Sequence, residues 1–276
     1  MLRLGSIELD CPAVMGILNT TPDSFSDGGH FAAPATALVH AEQMAAEGAS
    51  IIDVGGESTR PGARTVSEQE EIDRVVPVIE SLLTTIDVAI SVDTSKPGVM
   101  RAAVAAGASM INDVRALSLD GALDAAVELQ VPVCLMHMQG QPGTMQEDPH
   151  YDDVVGEVTQ LLRERVAQCR DAGLGDDLIV IDPGFGFGKT AADNIELLAH
   201  LGRLLDIGPP VLIGVSRKST LGLITGREVD ERLPASIAAA VLAVERGASI
   251  VRAHDVAETV DALRVARVIT KAEKNQ

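Results

Sequence analysis

Polar side chains follow several short apolar runs of this 276-residue sequence, at the point where each run ends. Carboxylates and amides at one place can hydrogen-bond to a polar ligand, and cationic side chains can hold an anion. The residues in question are Asn19, Asp53, Asp93, Asn112, His137, Asp182, Ser216, Arg252 and His254. Any one of them alone could cap a helix or bond to loop amides, but a set that recurs after every run favours a shared site.

The glycine-rich stretch IDPGFGFGKT, residues 181–190, has some features of a phosphate-binding loop. A Walker loop places four residues between its first glycine and the Gly-Lys pair. Here only three residues separate Gly184 from Gly188, and the dinucleotide pattern G-x-G-x-x-G is also absent. The stretch therefore predicts a tight turn after a strand, with Asp182 as its candidate functional residue. Lys189 and Thr190 fit an ordinary turn.

Two long loops and a group of cations add further candidates. The segments NTTPDSFSDGGHF and GGESTRPGART follow the first two apolar runs, and long loops of this kind often cover or bind a ligand. They contain Asn19, Asp23, Phe25, Asp27, Thr59 and Arg60. The segments after the last two runs contain the cationic residues Arg217, Lys218, Arg252 and His254. Because the chain carries a formal net charge of −18, a local group of cations indicates a site for an anionic group.

The acidic composition also limits the partners. A net charge of −18 repels nucleic acid and anionic lipid, so we expect neither as a general partner. Cys11, Cys134 and Cys169 are widely spaced, and no C-x-x-C occurs, which favours reduced thiols. The N-terminal residues lack the apolar core of a signal peptide, and no apolar run approaches the roughly 20 residues that span a bilayer. We therefore expect a cytoplasmic protein without membrane association.

The elements that would position these residues alternate along the chain. Eight β-rich apolar runs lie at residues 13–19, 50–56, 87–93, 109–113, 131–137, 178–182, 211–216 and 249–254. Helices are expected at 34–48 and near 68–83, 97–106, 120–129, 152–172, 193–205, 234–246 and 256–272. Eight strand–helix units predict a (β/α)8 TIM barrel, with residues 1–276 in a single domain and a short N-terminal β-extension. An open doubly wound sheet is the alternative, but it usually has fewer strands.

A repeated segment supports the barrel. EGASIIDV, AGASMIND and RGASIVRA each contain Gly-Ala-Ser, two apolar residues and a polar residue. Gly48, Gly107 and Gly247 are expected to end a helix in the left-handed conformation, after which the chain enters a strand. Since a barrel brings the carboxyl ends of its strands to one mouth, the polar residues would meet there.

Eight segments resemble those of dihydropteroate synthases and occur in the same order. They are GILNTTPDSFSDGG, DVGGESTRPGA, SVDTSKP, INDV, MHMQGQPGTMQ, IDPGFGFGKT, GVSRKS and RAHD, and the resemblance runs from about residue 13 to 270. It implies a folate-biosynthesis transferase that joins 4-aminobenzoate to (7,8-dihydropterin-6-yl)methyl diphosphate and releases diphosphate. It also implies a (β/α)8 barrel, Mg²⁺ as cofactor, a homodimer, and competition between sulfonamides and aminobenzoate.

The resemblance also implies roles for residues at matching positions. The pterin would contact Asp93, Ile111, Asn112, Met136, Asp182 and Lys218, although ordinary core packing is the alternative for the two apolar residues. The diphosphate would contact Asn19, Thr59, Arg60, Arg252 and His254, and Asn19 would also be a ligand of Mg²⁺. The aminobenzoate would lie among Phe25, Pro61, Phe187, Lys218 and Ser219. The residues expected to support the reaction itself are Asp27, Asp93, Lys218, Arg252 and His254.

Two alternatives remain for the function. A pterin-binding methyltransferase that uses methyl-tetrahydrofolate and a corrinoid partner would share the residues that bind the pterin. It would not need the segments STRPGA, SRKS and RAH. A non-catalytic pterin-binding paralogue is disfavoured by the presence of Asn19, Arg60, Lys218, Arg252 and His254.

Overall fold

In the computed structural model, which describes residues 1–20, 33–59, 62, 64–141 and 143–274, eight parallel strands form a closed barrel. After β1 (Leu2–Leu4) and β2 (Ile7–Leu9), the barrel strands are β3 (Ala13–Asn19), β4 (Ile51–Gly55), β5 (Ala89–Asp93), β6 (Met110–Asp113), β7 (Val133–Met136), β8 (Ile179–Asp182), β9 (Val211–Ile213) and β10 (Ala248–Ala253). They pair in sequence order, and β10 closes the barrel against β3. Each strand overlaps one of the predicted runs, so the (β/α)8 barrel is confirmed.

Side chains alternate between the barrel lumen and the surrounding helices along each strand. In β4, Ile51 belongs to an apolar cluster inside the lumen, whereas Ile52 and Val54 belong to the cluster beneath the helices. Asp53 lies between them and faces the lumen. Because the whole of β4 is buried, its sequence is a continuous apolar run interrupted by one polar residue.

Helices cover the outside of the barrel. They are α1 (Ala33–Ala46), α2 (Glu68–Leu82), α3 (Pro97–Ala105), α4 (Ala122–Leu129), α5 (Val154–Asp171), α6 (Ala191–Ala199), α7 (Ser219–Thr225), α8 (Leu233–Glu245) and α9 (Val256–Lys274). The helix predicted near 193–205 is α6 followed by a 3-10 helix, Leu201–Ile207. The sequence gives no sign of α7, because seven residues make less than two turns and show no readable periodicity.

The N-terminal β-extension is an antiparallel hairpin of β1 and β2 that closes the lower end of the barrel. Leu4, Ile7 and Leu9 are buried against the lumen cluster, which includes Met15 and Met110. The Gly5 N–H also donates to the Asp177 carbonyl oxygen at 3.0 Å, just before β8. With this end closed, the opposite end, where the strands terminate, is the open mouth. None of the helices in the described ranges is long and apolar enough to cross a membrane.

The repeated Gly-Ala-Ser segment forms the expected helix-to-strand turn. Gly107 follows α3 with a φ of +113°, a conformation that residues with a side chain rarely adopt. A Cβ at this position would lie 2.1 Å from a methyl carbon of Leu83, so the turn requires glycine for packing as well. Three residues later the chain enters β6, whose third residue is Asn112.

Candidate active site

The carboxyl ends of four neighbouring strands bring polar side chains to adjacent positions at the mouth. Asn19 pairs in register with Gly55, Gly55 with Asp93, and Asp93 with Asn112. All four positions belong to the lumen-facing set of their strands. This register is the reason that residues separated by long stretches of sequence lie side by side.

Arg252 lies at the centre of a buried ionic network across the lumen. Its Nε is 2.7 Å from Oδ2 of Asp53, and its Nη2 is 2.9 Å from Oδ2 of Asp93. Asp53 is fully buried and also accepts a 3.0 Å hydrogen bond from Nδ2 of Asn112. Burial raises the pKa of Asp93 to about 7, against the opposing effect of the Arg252 guanidinium. The arginine is therefore held in place by two carboxylates.

A third carboxylate, Asp182, ends β8 on the other side of the mouth. It is 5% exposed, and its Oδ1 accepts a 2.7 Å hydrogen bond from the Gly184 N–H. Burial raises the pKa of Asp182 to about 6, although that hydrogen bond and the Lys218 ammonium act in the opposite direction. Burial also lowers the pKa of Lys218 to about 8. The Nζ of Lys218 lies 4.0 Å from the ring centroid of Phe187, a cation–π contact.

The segments after β9 and β10 meet at Ser216. Its hydroxyl lies 3.0 Å from Nδ1 of His254 and accepts from the His254 backbone N–H at 3.2 Å. Burial, followed by the nearby Arg252 charge, lowers the pKa of His254 to about 4, so the imidazole is neutral at physiological pH. Arg217 makes two hydrogen bonds to the Asp255 carboxylate, so its guanidinium is already paired within the protein.

The start of the loop after β4 is anchored by charged groups. The Nζ of Lys96 lies 2.6 Å from Oε2 of Glu57 and 2.5 Å from Oε2 of the buried Glu71. The other oxygen of Glu57 accepts from the Val66 N–H at 3.1 Å, which links the two ends of the loop. Thr59, a predicted diphosphate ligand, is half-buried within this anchored loop.

The predicted residues do not all reach the mouth. Ile111 is fully buried in the cluster beneath the helices, on the opposite side of β6 from its neighbour Asn112. Its strand position therefore gives no support to a role as a pterin wall. Met136 pairs in register with Asp182 and is 5% exposed, which keeps it adjacent to the candidate pterin contacts. Ser219 is exposed as the first residue of α7. The predicted residues Phe25, Asp27, Arg60 and Pro61 lie outside the described residues.

Two residues without a predicted role are integral to the mouth. Asp53 was visible in the sequence as a polar residue in an apolar run, but nothing there indicates that it holds both Arg252 and Asn112. Lys189 fits a surface turn by its sequence, yet it is buried at 2% exposure beside His137. Thr190, in contrast, is the N-cap of α6, where its hydroxyl accepts from the Asp193 N–H.

Two oxygen atoms at the mouth fit a hard divalent cation. A Cβ on Gly55 would lie 3.6 Å from Oδ1 of Asn19 and 3.8 Å from Oδ2 of Asp93, so both oxygens border one small space. Mg²⁺ prefers oxygen ligands and commonly takes one or two from the protein and the others from phosphate and water. Asn19 offers one such oxygen, and Oδ2 of Asp93, which also accepts from Arg252, offers a second.

Comparison with known proteins identifies the family. Residues 15–254 match the pterin binding enzyme family. Dihydropteroate synthase of Escherichia coli strain K12 is 52% identical over 271 residues, which cover 98% of this chain and 96% of that protein. The structure of Xanthomonas albilineans dihydropteroate synthase with 4-aminobenzoic acid is 55% identical, with a TM-score of 0.90 over 95% of this chain and 94% of that one. The structure from the same organism in complex with 7,8-dihydropteroate is 52% identical, with a TM-score of 0.87 over 96% and 95% of the two chains. This chain belongs to the pterin-binding enzymes and, within them, to the dihydropteroate synthases.

Proposed function

We propose that this transferase joins the amine of 4-aminobenzoate to the methylene carbon of (7,8-dihydropterin-6-yl)methyl diphosphate and releases diphosphate. The observation that carries the proposal is that the buried Asp182 carboxylate and the Lys218 ammonium, which lies over the Phe187 ring, meet at one mouth and influence each other electrostatically. The two Xanthomonas albilineans structures contain 4-aminobenzoic acid and 7,8-dihydropteroate, one substrate and the product of this reaction.

The pterin ring would be recognised by fixed donors and acceptors. Asp182 accepts from the ring amino and imide N–H groups, and Lys218 donates to ring acceptors. Asn112 has its amide nitrogen turned toward Asp53, which leaves its oxygen to accept from another ring N–H. A charge-assisted hydrogen bond in a buried site contributes about 1.5–3 kcal/mol, so these contacts are sufficient to select the pterin edge.

The diphosphate would lie on the side of the mouth formed by Asn19, Arg252 and His254, with Thr59 and Arg60 from the strand-4 loop. Arg252 already pairs with two carboxylates, so its charge alone does not balance a diphosphate. This supports Mg²⁺ as cofactor, with Asn19 and Asp93 as its protein ligands. When bound, the metal would stabilise negative charge on the leaving group.

The reaction needs no covalent enzyme intermediate. The bond between the methylene carbon and the bridging oxygen breaks, and its electron pair leaves with the diphosphate. The amine lone pair then forms the new C–N bond, and the amine loses a proton to water or to diphosphate. Asp93 and the loop residue Asp27 would stabilise positive charge at the methylene carbon, and Arg252 and the neutral His254 would donate hydrogen bonds to the departing phosphate.

The aminobenzoate would stack near Phe187, with Lys218 and Ser219 close to its polar end. Phe187 is half-buried and held under the Lys218 ammonium, so one face of its ring is already occupied. Phe25 and Pro61, from the two long loops, would complete this subsite. The sulfonamides expected to compete with aminobenzoate would bind at the same place.

We further propose a homodimer in the cytoplasm. The helices α7, α8 and α9 pack in succession and expose the apolar side chains Leu223, Ile224, Leu242, Val265, Val268 and Ile269. Val265, Val268 and Ile269 share one face of α9, which supports a dimer interface there. The three free cysteines support a reducing compartment. Light scattering of the purified chain and of a Val268→Glu variant tests the dimer.

Diphosphate release by the purified chain tests the reaction. We expect release only when 4-aminobenzoate, the pterin diphosphate and Mg²⁺ are all present. Pterin binding without release would instead identify a non-catalytic paralogue. Methyl transfer from methyl-tetrahydrofolate to a corrinoid would identify the methyltransferase alternative.

A further inference from the structure

Lys189 is a buried ammonium with a complete set of acceptors. Its Nζ lies 2.9 Å from Nδ1 of His137, 2.9 Å from the Gly184 carbonyl oxygen and 2.9 Å from the Phe187 carbonyl oxygen. Burial lowers the pKa of His137 to about 3, so the imidazole is neutral and its Nδ1 accepts the hydrogen bond. Burial lowers the pKa of Lys189 to about 7, although the Asp182 carboxylate acts in the opposite direction. In the ammonium form Lys189 has three N–H donors, and all three find an acceptor here.

The loop that Lys189 closes lies directly on the backbone that follows β7. A Cβ at Gly184 would lie 1.8 Å from the His137 carbonyl oxygen, and one at Gly188 would lie 2.3 Å from the Gln139 carbonyl oxygen. The two glycines thus allow a contact that any side chain would prevent. The amine of Lys189 bonds to both the 182–189 loop and His137, the first residue after β7, and so joins the two segments.

Side chains from the β7–α5 segment hold two further carbonyl groups of the loop. Nε2 of Gln146 donates to the Gly186 oxygen at 2.8 Å, and the Tyr151 hydroxyl donates to the Gly188 oxygen at 2.7 Å. Both of these donors approach from outside the loop, whereas Lys189 bonds to the loop from within. Together with the 3.0 Å hydrogen bond from the Phe187 N–H to the Gly184 carbonyl oxygen, Lys189 therefore sets the loop's own curvature.

The curvature matters because the loop carries parts of both candidate substrate subsites. The Gly184 N–H donates to the Asp182 carboxylate, and the Phe187 ring lies under Lys218. The carbonyl groups of these same two residues, Gly184 and Phe187, accept from Lys189. A change at Lys189 would therefore move a hydrogen-bond donor to the pterin-binding carboxylate and the aromatic wall of the aminobenzoate subsite together.

We propose that Lys189 is a positioning residue that fixes the 182–189 loop for both substrates. The inference rests on the proposed function, which gives Asp182 and Phe187 their roles. The cations that face Asp182 are Lys218, Lys189 and Arg252. The titratable groups that face Lys189 are His137, Asp182, Lys218 and Asp193. Of the three cations that face Asp182, Lys189 is the one with no predicted contact with substrate.

The test compares Lys189→Met and Lys189→Gln with the wild type. Methionine has a similar length but neither donor nor charge, whereas glutamine retains donors without the charge. The control is Lys271→Met, the same change at an exposed position on α9, near the lower end of the barrel. Calorimetry measures the Kd of free hydroxymethyl-dihydropterin from pH 5 to 8, and steady-state kinetics measures KM for aminobenzoate.

For Lys189→Met we expect a pterin Kd about tenfold weaker at pH 7, because the loop that positions Asp182 loses its internal donor. We expect KM for aminobenzoate to rise several-fold. Lys189→Gln, which retains donors, should show smaller changes in both Kd and KM than Lys189→Met. A wild-type Kd for pterin and a wild-type KM for aminobenzoate in both variants would overturn the inference, whereas failure of the wild type to bind pterin would overturn the proposed function.

A measurement on the wild type covers the case in which the variants do not fold. In ¹⁵N NMR, His137 should remain neutral from pH 8 down to pH 5, with Nδ1 as the unprotonated, accepting nitrogen. An imidazolium at pH 6 could not accept from Lys189, and this result would overturn the inference.

Discussion

Replacement of Asp182 by asparagine should weaken pterin binding and, at the same time, stabilise the unliganded protein. Oδ1 of Asp182 is bonded to the Gly184 N–H, and the asparagine oxygen can keep that bond. The second oxygen becomes an NH₂ group, which faces the ring N–H as donor against donor. Loss of a charge-assisted hydrogen bond costs about 1.5–3 kcal/mol of binding free energy. With the mismatch between the two donors, the total cost is about 3 kcal/mol, which raises Kd more than a hundredfold.

The effect on stability has the opposite sign because the carboxylate is desolvated. The folded-state pKa of Asp182 is about 6, above the ordinary value of 3.8. A carboxyl group whose pKa is raised in the folded state stabilises the fold in its protonated form. This contribution is fully present below the ordinary pKa and is lost as pH rises through the folded-state pKa. At pH 8 ionisation costs the wild type up to about 3 kcal/mol, and asparagine removes that cost.

Two measurements on Asp182→Asn test this reasoning. Calorimetry with hydroxymethyl-dihydropterin at pH 7.5 gives Kd, and thermal unfolding at pH 4.5 and pH 8 gives the change in Tm. We expect the variant to gain several degrees at pH 8 and little at pH 4.5, since 1 kcal/mol shifts Tm by about 2 °C in a chain of this size. An unchanged Kd would refute the assignment of Asp182 to the pterin. A lower Tm at pH 8 would refute the claim that its charge is desolvated.

Three further predictions concern the same mouth. Arg252→Ala should raise KM for the pterin diphosphate far more than Kd for free pterin, and it should lower Tm because Asp53 and Asp93 lose their counter-charge. Arg252→Lys should restore part of the stability. If Arg252→Ala lost affinity for the pterin diphosphate and for free pterin equally, that result would contradict a diphosphate role. Phe187→Leu should raise KM for aminobenzoate about tenfold with little change in pterin Kd, as measured by steady-state kinetics and calorimetry. Chelation of Mg²⁺ should abolish diphosphate release but leave binding of free pterin intact. If binding of free pterin required Mg²⁺, that result would argue against a metal held mainly by phosphate.

Several features of the fold follow from local sequence. Each barrel strand overlaps an apolar run, because strands of a parallel barrel are buried on both faces and exclude most polar residues. The polar residue that ends a run is therefore conspicuous, as for Asp93, Asn112 and Asp182. The turn glycines are equally readable, since a positive φ after a helix favours glycine whatever the remote contacts are. The short helix α7 is not readable in this way, because its packing rather than its periodicity stabilises it.

The prediction about Ile111 shows where sequence proximity misleads. Ile111 is adjacent to Asn112, and the resemblance placed both at the pterin. Successive residues of a strand point to opposite faces, so only Asn112 faces the lumen, and Ile111 packs beneath the helices. The side on which each residue falls depends on strand register, which a run of four residues does not specify by itself.

The sequence by itself determined the barrel, its family and the set of polar residues at the strand ends, because these depend on periodicity, turn chemistry and ordered motifs. Only the tertiary structure decided how those residues are connected. Arg252 is divided between Asp53 and Asp93, and Asn112 is oriented by Asp53. Lys189 is a buried support of the loop rather than a residue of a surface turn. The physical reason is that such contacts join residues far apart in the chain, and their strength depends on desolvation, which arises only when the barrel closes around them.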